Sequence, residues 1–208
     1  MKVYKSIILD VDGVLFDSNA LKERNIGDAV EGYCSAEEKE EFVSYYIEHN
    51  GLPREVKIEK YFGRGSEDSK AILARYNELN HETLYEVPMT PGALAFLRKW
   101  SKVARIWALS GGAENEVNSL FEKNKLLKYF DRVYGGPVSK KVHVQSIPIS
   151  QPCIYVGDSL VDYETSQLIK TDFAFMYEFT QVVNWKAYFK GKEDVKLIKN
   201  LEDITYKI

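Results

Sequence analysis

The sequence is poor in the residue types that mark several classes of protein. Its 208 residues include only 2 Cys, 3 His and 6 Pro. Cys34 and Cys153 lie far apart and neither has C-x-x-C spacing, so we expect reduced thiols rather than a disulfide framework or a zinc site. No apolar run approaches the length of a bilayer span, and no secretory leader pattern is present. We therefore expect a cytoplasmic protein with no membrane partner.

The sequence also lacks a large excess of either positive or negative charge. The 28 basic and 31 acidic residues give a formal net charge of -3. This balance gives no reason to expect a nucleic-acid partner. The length allows one substantial core with a smaller lobe attached. We expect a monomer or a homodimer, and the sequence does not decide between them.

Short apolar runs alternate with amphipathic segments. Strands are predicted at residues 3–9, 103–109, 153–156 and 173–177, with 131–134 as a weaker candidate. These runs are apolar nearly throughout, as expected when helices cover both faces of a parallel sheet. Helices are predicted at residues 93–100, 114–124 and 142–147, the first with Thr90 as N-cap and Pro91 at its first position. The pattern predicts an α/β fold, a Rossmann-like parallel sheet of about five strands with helices on both faces.

Residues 19–86 interrupt this alternation with helical patterns alone. Ser35 and Glu38 form a capping-box sequence, a second helix is predicted over Arg54–Phe62, and a third begins at Ser66. Tyr45, Tyr46, Tyr61 and Tyr76 are expected to be core residues of this segment. We predict a small α-helical domain at residues 19–86 and a main domain formed by residues 1–18 and 87–208.

Residues capable of phosphate chemistry follow each of the first four predicted strands. In a doubly wound sheet these positions converge on one crevice. Carboxylates without a His/Cys cluster suit Mg²⁺, while serine and lysine donors suit phosphate oxygens. A carboxylate nucleophile could form an aspartyl-phosphate. In chain order these residues are Asp10 with Asp12, Ser110 with Gly111, Lys140, and Asp158 with Asp162.

Taken together, these segments resemble a known superfamily. The set Asp10-x-Asp12-Gly13-Val14-x-Phe16-Asp17-Ser18, Ser110, Lys140 and Gly157-Asp158-x-x-x-Asp162 is similar to the four motifs of the haloacid dehalogenase-like superfamily. The helical segment at residues 19–86 resembles the cap domain of its phosphoglycolate phosphatase/β-phosphoglucomutase type.

The resemblance implies a role for each acid. Asp10 would be the nucleophile and a Mg²⁺ ligand. Asp12 would protonate the leaving alkoxide and then activate water, with its backbone carbonyl on the metal. Asp158 would be a further metal ligand, and Asp162 a second-shell or water-mediated partner.

The remaining motif residues would bind phosphate. Ser110 and Gly111 would contact its oxygens, and Lys140 would pair with both the nucleophile and the phosphate. Lys141 is the alternative to Lys140. In the cap, Arg54 or Lys57 could reach an anionic group of the substrate, although a solvated helix face is the simpler interpretation of these two cations.

The expected activity is Mg²⁺-dependent hydrolysis of a small phosphorylated metabolite through an aspartyl-phosphate. Asp12 argues against a dehalogenase, which needs no acid to protonate an alkoxide, and against a phosphonatase, since that branch lacks the second Asp. Two alternatives stay open: a phosphosugar mutase of the β-phosphoglucomutase type, and a catalytically silent binding protein on the same fold.

Overall fold

The apolar runs form the strands of one parallel sheet, seen in a computed structural model that describes residues 3–205. The sheet order is β3-β2-β1-β4-β5-β6, so the first strand lies in the interior. The α/β fold predicted from the sequence is confirmed, with six strands in the described range rather than about five. The strands are β1 (Ser6–Asp10), β2 (Arg105–Ala113), β3 (Arg132–Gly136), β4 (Cys153–Gly157), β5 (Asp172–Met176) and β6 (Val195–Ile198).

Strand β1 is buried on both faces. It pairs in parallel with β2 on one side and β4 on the other, and all five of its residues are buried. Ile7 and Leu9 belong to one hydrophobic core, while Ile8 belongs to the core on the opposite face. Side chains of a strand alternate between faces, so a strand covered on both sides must be apolar at every position. This burial holds the carboxyl end of β1 in place.

Strand β6 was missed in the sequence because it is an edge strand. Its sequence, Val195–Ile198, has only one fully buried residue, and Leu197 is 47 % exposed. Strand β6 is identified by its backbone pairing with β5 on one side. A strand of four residues paired in this way has too few buried apolar residues to be recognised from the sequence. The weaker candidate at 131–134 is confirmed as β3, which forms the opposite edge.

Helices cover both faces of the sheet. They are α5 (Ala93–Trp100), α6 (Glu114–Lys123), α7 (Lys140–His143), α8 (Leu160–Leu168) and α9 (Trp185–Tyr188). The helix predicted at 142–147 is instead α7 followed by a 3-10 turn at Val144–Ser146. Within the described range, no helix has the length and apolar character needed to cross a membrane.

The predicted start of α5 was wrong. Gly92, with φ 79°, precedes the helix, and neither Thr90 nor Pro91 caps it. The Thr90 hydroxyl donates to the Val14 carbonyl at 2.5 Å, and its N–H donates to the Leu15 carbonyl at 3.0 Å. Thr90 therefore holds the loop after β1 instead of beginning a helix.

The segment after β1 folds into four helices with a hydrophobic core of their own. They are α1 (Asn19–Ala29), α2 (Ala36–Glu48), α3 (Arg54–Phe62) and α4 (Glu67–Thr83). The Ser35–Glu38 capping box is confirmed at the start of α2. The core includes Ile26, Phe42, Tyr46, Ile58, Ile72 and Tyr76. We call this segment the cap. The division into residues 19–86 and residues 1–18 with 87–208 stays a prediction, and residues 1–2 and 206–208 lie outside the described range.

Candidate active site

The carboxyl ends of the central strands meet at one crevice beneath the cap. Asp10 is the last residue of β1 and is 3 % exposed. Its Oδ1 accepts a hydrogen bond from the Val11 N–H at 2.7 Å. Asp12, Gly111 and Lys140 line the same crevice, as the sheet topology predicts.

Lys140 joins two of the acids. Its Nζ lies 2.6 Å from Asp10 Oδ1 and 2.8 Å from Asp162 Oδ1, and the side chain is fully buried. Burial alone would lower the pKa of Lys140, but these two carboxylates raise it above its ordinary value. Lys141 instead pairs with Glu164 at 2.6 Å, where both side chains are about half exposed. The geometry therefore favours Lys140 over Lys141 as the crevice lysine.

Asp162 is fully occupied by hydrogen-bond donors. Its Oδ1 accepts from Lys140 and from the Tyr155 hydroxyl, each at 2.8 Å. Its Oδ2 accepts from the Ser159 N–H at 3.1 Å and from the Ser159 hydroxyl at 2.5 Å, forming the capping box of α8. Asp162 thus fixes both Lys140 and the start of α8. Tyr155 belonged to a predicted strand, and nothing in the sequence marked it as a partner of these acids.

Asp158 has an oxygen without a partner. Its Oδ2 accepts from Asn19 Nδ2 at 2.7 Å, whereas its buried Oδ1 has no hydrogen-bond donor among the described residues. Gly13, at φ +73°, leaves room for this carboxylate, because a Cβ there would lie 2.1 Å from Asp158 Oδ2. An oxygen left unpaired in this way is costly unless a cation binds it.

Three carboxylates come together at this point. Oxygens of Asp10, Asp158 and Asp162 all lie within 4.8 Å of one another. Burial, followed by the charge of Asp162, raises the pKa values of both Asp10 and Asp158. A divalent cation would remove this penalty, and oxygen ligands alone suit a hard cation. The residues present therefore fit a metal ion, with the free oxygen of Asp158 the clearest indication.

Asp12 is held by a lysine that the sequence analysis did not identify. Lys22 Nζ lies 2.6 Å from Asp12 Oδ1, and the Ser18 hydroxyl donates to the same oxygen at 2.5 Å. The Ser110 hydroxyl donates to Asp12 Oδ2 at 3.4 Å. Burial would raise the pKa of Asp12, but Lys22 and Ser18 lower it below its ordinary value. One signal could have identified Lys22: it follows Ser18 by one helical turn, so it shares a face with the end of the first motif.

The two cap cations predicted to contact substrate differ in their surroundings. Arg54 is buried and makes a two-pronged ion pair with Glu116 of α6, both contacts being 2.8 Å. Its Nη1 also donates to Asn77 Oδ1 at 2.7 Å. Arg54 thus connects the cap to α6. Gly111 also adjoins the cap, since a Cβ there would lie 3.0 Å from the Leu52 carbonyl oxygen.

Lys57 has no such ion pair within the part of the chain that the structure describes. It is 3 % exposed, donates to the Tyr46 carbonyl at 3.3 Å, and has its Nζ 3.3 Å from the centroid of the Tyr46 ring. Tyr46 and Tyr76 are buried in the cap core as predicted, and they also line the crevice. Tyr45 is only partly buried, and the prediction for Tyr61 was wrong, because that residue is 38 % exposed. The solvated helix face considered for both Arg54 and Lys57 is wrong, because both side chains are buried.

The crevice is narrow and partly open to solvent. Its volume is about 30 Å³, which has room for only a few water molecules. A phosphorylated metabolite is larger than this. Entry of such a molecule would therefore require the crevice to widen.

Comparisons with known proteins identify a family. The sequence profile of the haloacid dehalogenase-like hydrolases matches residues 7–176. A search of curated proteins gave no significant match.

Solved structures share the fold. A protein from Clostridium acetobutylicum, described as a predicted phosphatase, has a TM-score of 0.77 at 16% identity. The match covers 97% of this chain and 96% of that protein. A candidate phosphoglycolate phosphatase from Lactobacillus plantarum has a TM-score of 0.73 at 14% identity, with coverage of 97% and 98%. The candidate hydrolase YfnB from Bacillus subtilis, solved with bound magnesium and described as showing interdomain movement, has a TM-score of 0.67 at 16% identity, with coverage of 97% of each chain. At these identities the likeness concerns the fold.

The Arg54–Glu116 pair yields a prediction about stability. Glu116→Gln should lower the free energy of unfolding by about 3–5 kcal/mol, because it leaves a buried guanidinium without its counter-charge. The double variant Arg54→Met/Glu116→Leu should lose clearly less than the sum of the two single changes. Urea unfolding of wild type, Glu116→Gln, Arg54→Met, Glu116→Leu and the double variant measures both effects.

Glu67→Gln is the matched control, because the Glu67–Lys70 pair is exposed and its loss should leave stability almost unchanged. If Glu116→Gln destabilised the protein no more than Glu67→Gln, Arg54 would not depend on Glu116.

Proposed function

Because the chain belongs to the haloacid dehalogenase-like hydrolase family, we propose that it is a Mg²⁺-dependent phosphatase of small phosphorylated metabolites. The observation that carries this proposal is the environment of Asp10. A strand buried on both faces ends in a carboxylate that is paired with Lys140 at 2.6 Å and has Asp12 two positions later. A nucleophile, a cation for phosphate and a second acid therefore share one crevice.

The first chemical step belongs to Asp10. Its carboxylate attacks phosphorus, the bond from phosphorus to the ester oxygen breaks, and an aspartyl-phosphate forms. Lys140 and the Ser110 hydroxyl, with the nearby Gly111 backbone, bind the phosphate oxygens and offset the charge that develops on them. Lys140 is held for this role by Asp162, which accepts from it at 2.8 Å.

Asp12 carries the proton in both steps. It donates a proton to the departing alkoxide, and as a carboxylate it then takes one from the water that attacks the aspartyl-phosphate. In this crevice, Lys22 keeps Asp12 in the carboxylate form. An incoming phosphate competes for Lys22, and loss of that contact would let the pKa of Asp12 rise toward the value that proton donation requires.

Mg²⁺ would be held by Asp10, Asp158 and the backbone carbonyl of Asp12. Its chemical contribution is to neutralise the negative charge of the phosphoryl group. Two observations support it: Asp158 has a buried oxygen with no donor among residues 3–205, and the YfnB structure from Bacillus subtilis holds magnesium on the same fold. The interdomain movement described for YfnB also agrees with a cap that opens to admit substrate.

The activity prediction concerns the two acids of the first motif. Wild type should release phosphate from a panel of phosphomonoesters only when Mg²⁺ is present. Asp10→Asn should abolish release, because an amide cannot attack phosphorus, and Asp12→Asn should lower kcat by about 10²–10⁴-fold. Malachite-green detection of phosphate, with sugar phosphates followed by chromatography, gives the measurement.

Asp17→Asn is the matched control from the same motif and should retain activity. Undiminished release by Asp10→Asn would refute the hydrolase mechanism. Isomerisation of a phosphosugar faster than its hydrolysis would identify a mutase, and inactivity on the whole panel would leave a binding protein.

The acid cluster predicts pH-dependent metal binding. Without a cation, the raised pKa values of Asp10 and Asp158 favour protonated acids in the folded state. The metal-free protein should therefore lose stability as pH rises from the ordinary carboxyl pKa through these raised values. Mg²⁺ binds the deprotonated acids, so its increment in Tm should be larger at about pH 8 than at about pH 6.

Thermal unfolding with and without Mg²⁺ checks this prediction. Asp158→Asn should lose the increment, while Asp68→Asn, at an exposed position of α4, should keep it. An increment that is equal at both pH values, or that survives in Asp158→Asn, would contradict binding at this cluster.

A further inference from the structure

One cation of the crevice lacks a carboxylate. Four basic side chains line the crevice, and three of them are in ion pairs. Among residues 3–205, no carboxylate lies within ion-pair distance of the fourth, Lys57. The three pairs are Lys22–Asp12 at 2.6 Å, Arg54–Glu116 at 2.8 Å and Lys140–Asp10 at 2.6 Å.

The neutral partners of Lys57 compensate for only part of its burial. The carbonyl and the ring of Tyr46 replace some of the hydration of the ammonium group. Burial, followed by the nearby charges of Lys22 and Arg54, lowers the pKa of Lys57 well below its ordinary value. A negative charge placed against Lys57 would relieve this penalty. Lys57 is therefore a cation of the crevice without a counter-anion among the described residues.

Lys57 lies on the cap side of the crevice. It belongs to α3 and contacts Tyr46, a member of the cap core. Asp10, Ser110 and Lys140, which would contact the phosphoryl group, come from the carboxyl ends of the strands and the start of α7. A ligand between the two sides would therefore present its phosphoryl group to Asp10 and its other end to Lys57.

We propose that Lys57 binds a second anionic group of the substrate, a carboxylate or a second phosphate. This inference rests on the proposed phosphatase function and narrows its substrate class to phosphomonoesters with another acidic group. Arg54 does not share the task, because Glu116 and Asn77 already occupy its guanidinium.

Inert phosphonates test the binding directly. Propylphosphonate has one anionic group, 3-phosphonopropionate adds a carboxylate, and propane-1,3-bisphosphonate adds a second phosphonate. Calorimetry with Mg²⁺ present should show that wild type binds at least one of the two acidic compounds about tenfold or more tightly than propylphosphonate, as expected for a charged hydrogen bond. The stronger of the two identifies the second group as carboxylate or phosphate.

Three variants assign the preference to a residue. The quantity to compare is the affinity for the preferred acidic phosphonate divided by the affinity for propylphosphonate. Lys57→Met should bring this affinity ratio close to one, and Lys57→Gln, which keeps a donor for the Tyr46 carbonyl, should lower it several-fold. Lys60→Met is the control, because it removes the same charge from an exposed position of the same helix and should keep the wild-type ratio. Thermal unfolding of each variant establishes that it is folded.

The outcomes separate this inference from the phosphatase proposal. Equal affinity of wild type for all three phosphonates, or an unchanged ratio in both Lys57 variants, would overturn the role of Lys57. Absence of phosphate release from every phosphomonoester would instead overturn the phosphatase proposal, and the phosphonate ratios would still report on Lys57.

Discussion

The buried contacts of Lys140 with Asp10 and Asp162 hold the crevice together. Four carboxylates converge at the strand ends, and without this ammonium they would repel one another in a region that water barely reaches. Buried ion pairs contribute little net stability, because desolvation offsets their attraction. The arrangement is better explained by the proposed chemistry, in which a carboxylate and the cation that would bind phosphate must lie in contact. The buried oxygen of Asp158 that has no donor among the described residues has the same explanation, because a bound cation would supply its missing partner.

The cap uses its two buried cations differently, although they lie three positions apart on one helix. Arg54 is fixed by Glu116 and ties the cap to α6, whereas Lys57 faces the crevice with only neutral contacts. The first interaction links the cap to α6, and we propose that the second side chain contacts an anionic group of the substrate. Lys22 provides a third link, from the cap to Asp12.

The sequence predicted the parts of the structure that depend on buried strands. Strand β1 could be predicted from its apolar run ending in Asp10-x-Asp12, because burial on both faces excludes most polar residues from a strand. Edge strand β6 could not be predicted from the sequence, since two of its four residues are exposed. Glu116 was missed for a different reason, because it acts through a contact with Arg54 in a distant segment of the chain. Lys22 was missed although its partner is near in sequence, because a lone charge on an amphipathic helix looks like a solvated surface residue. Thr90 shows the same limit, because its hydroxyl caps a loop carbonyl rather than the helix that follows it.

The central claim is that Asp10 attacks phosphorus. Its most direct test is rapid acid quenching of the Asp12→Asn variant with p-nitrophenyl phosphate, followed by peptide mass spectrometry. The nitrophenolate leaving group needs no proton, so loss of the second acid should slow hydrolysis of the intermediate much more than its formation. The account predicts the mass of one phosphoryl group on the peptide that contains Asp10, located at Asp10 by fragmentation and absent from Asp10→Asn. A phosphoryl group on another residue, or rapid phosphate release with no phosphorylated peptide at any quench time, would contradict it.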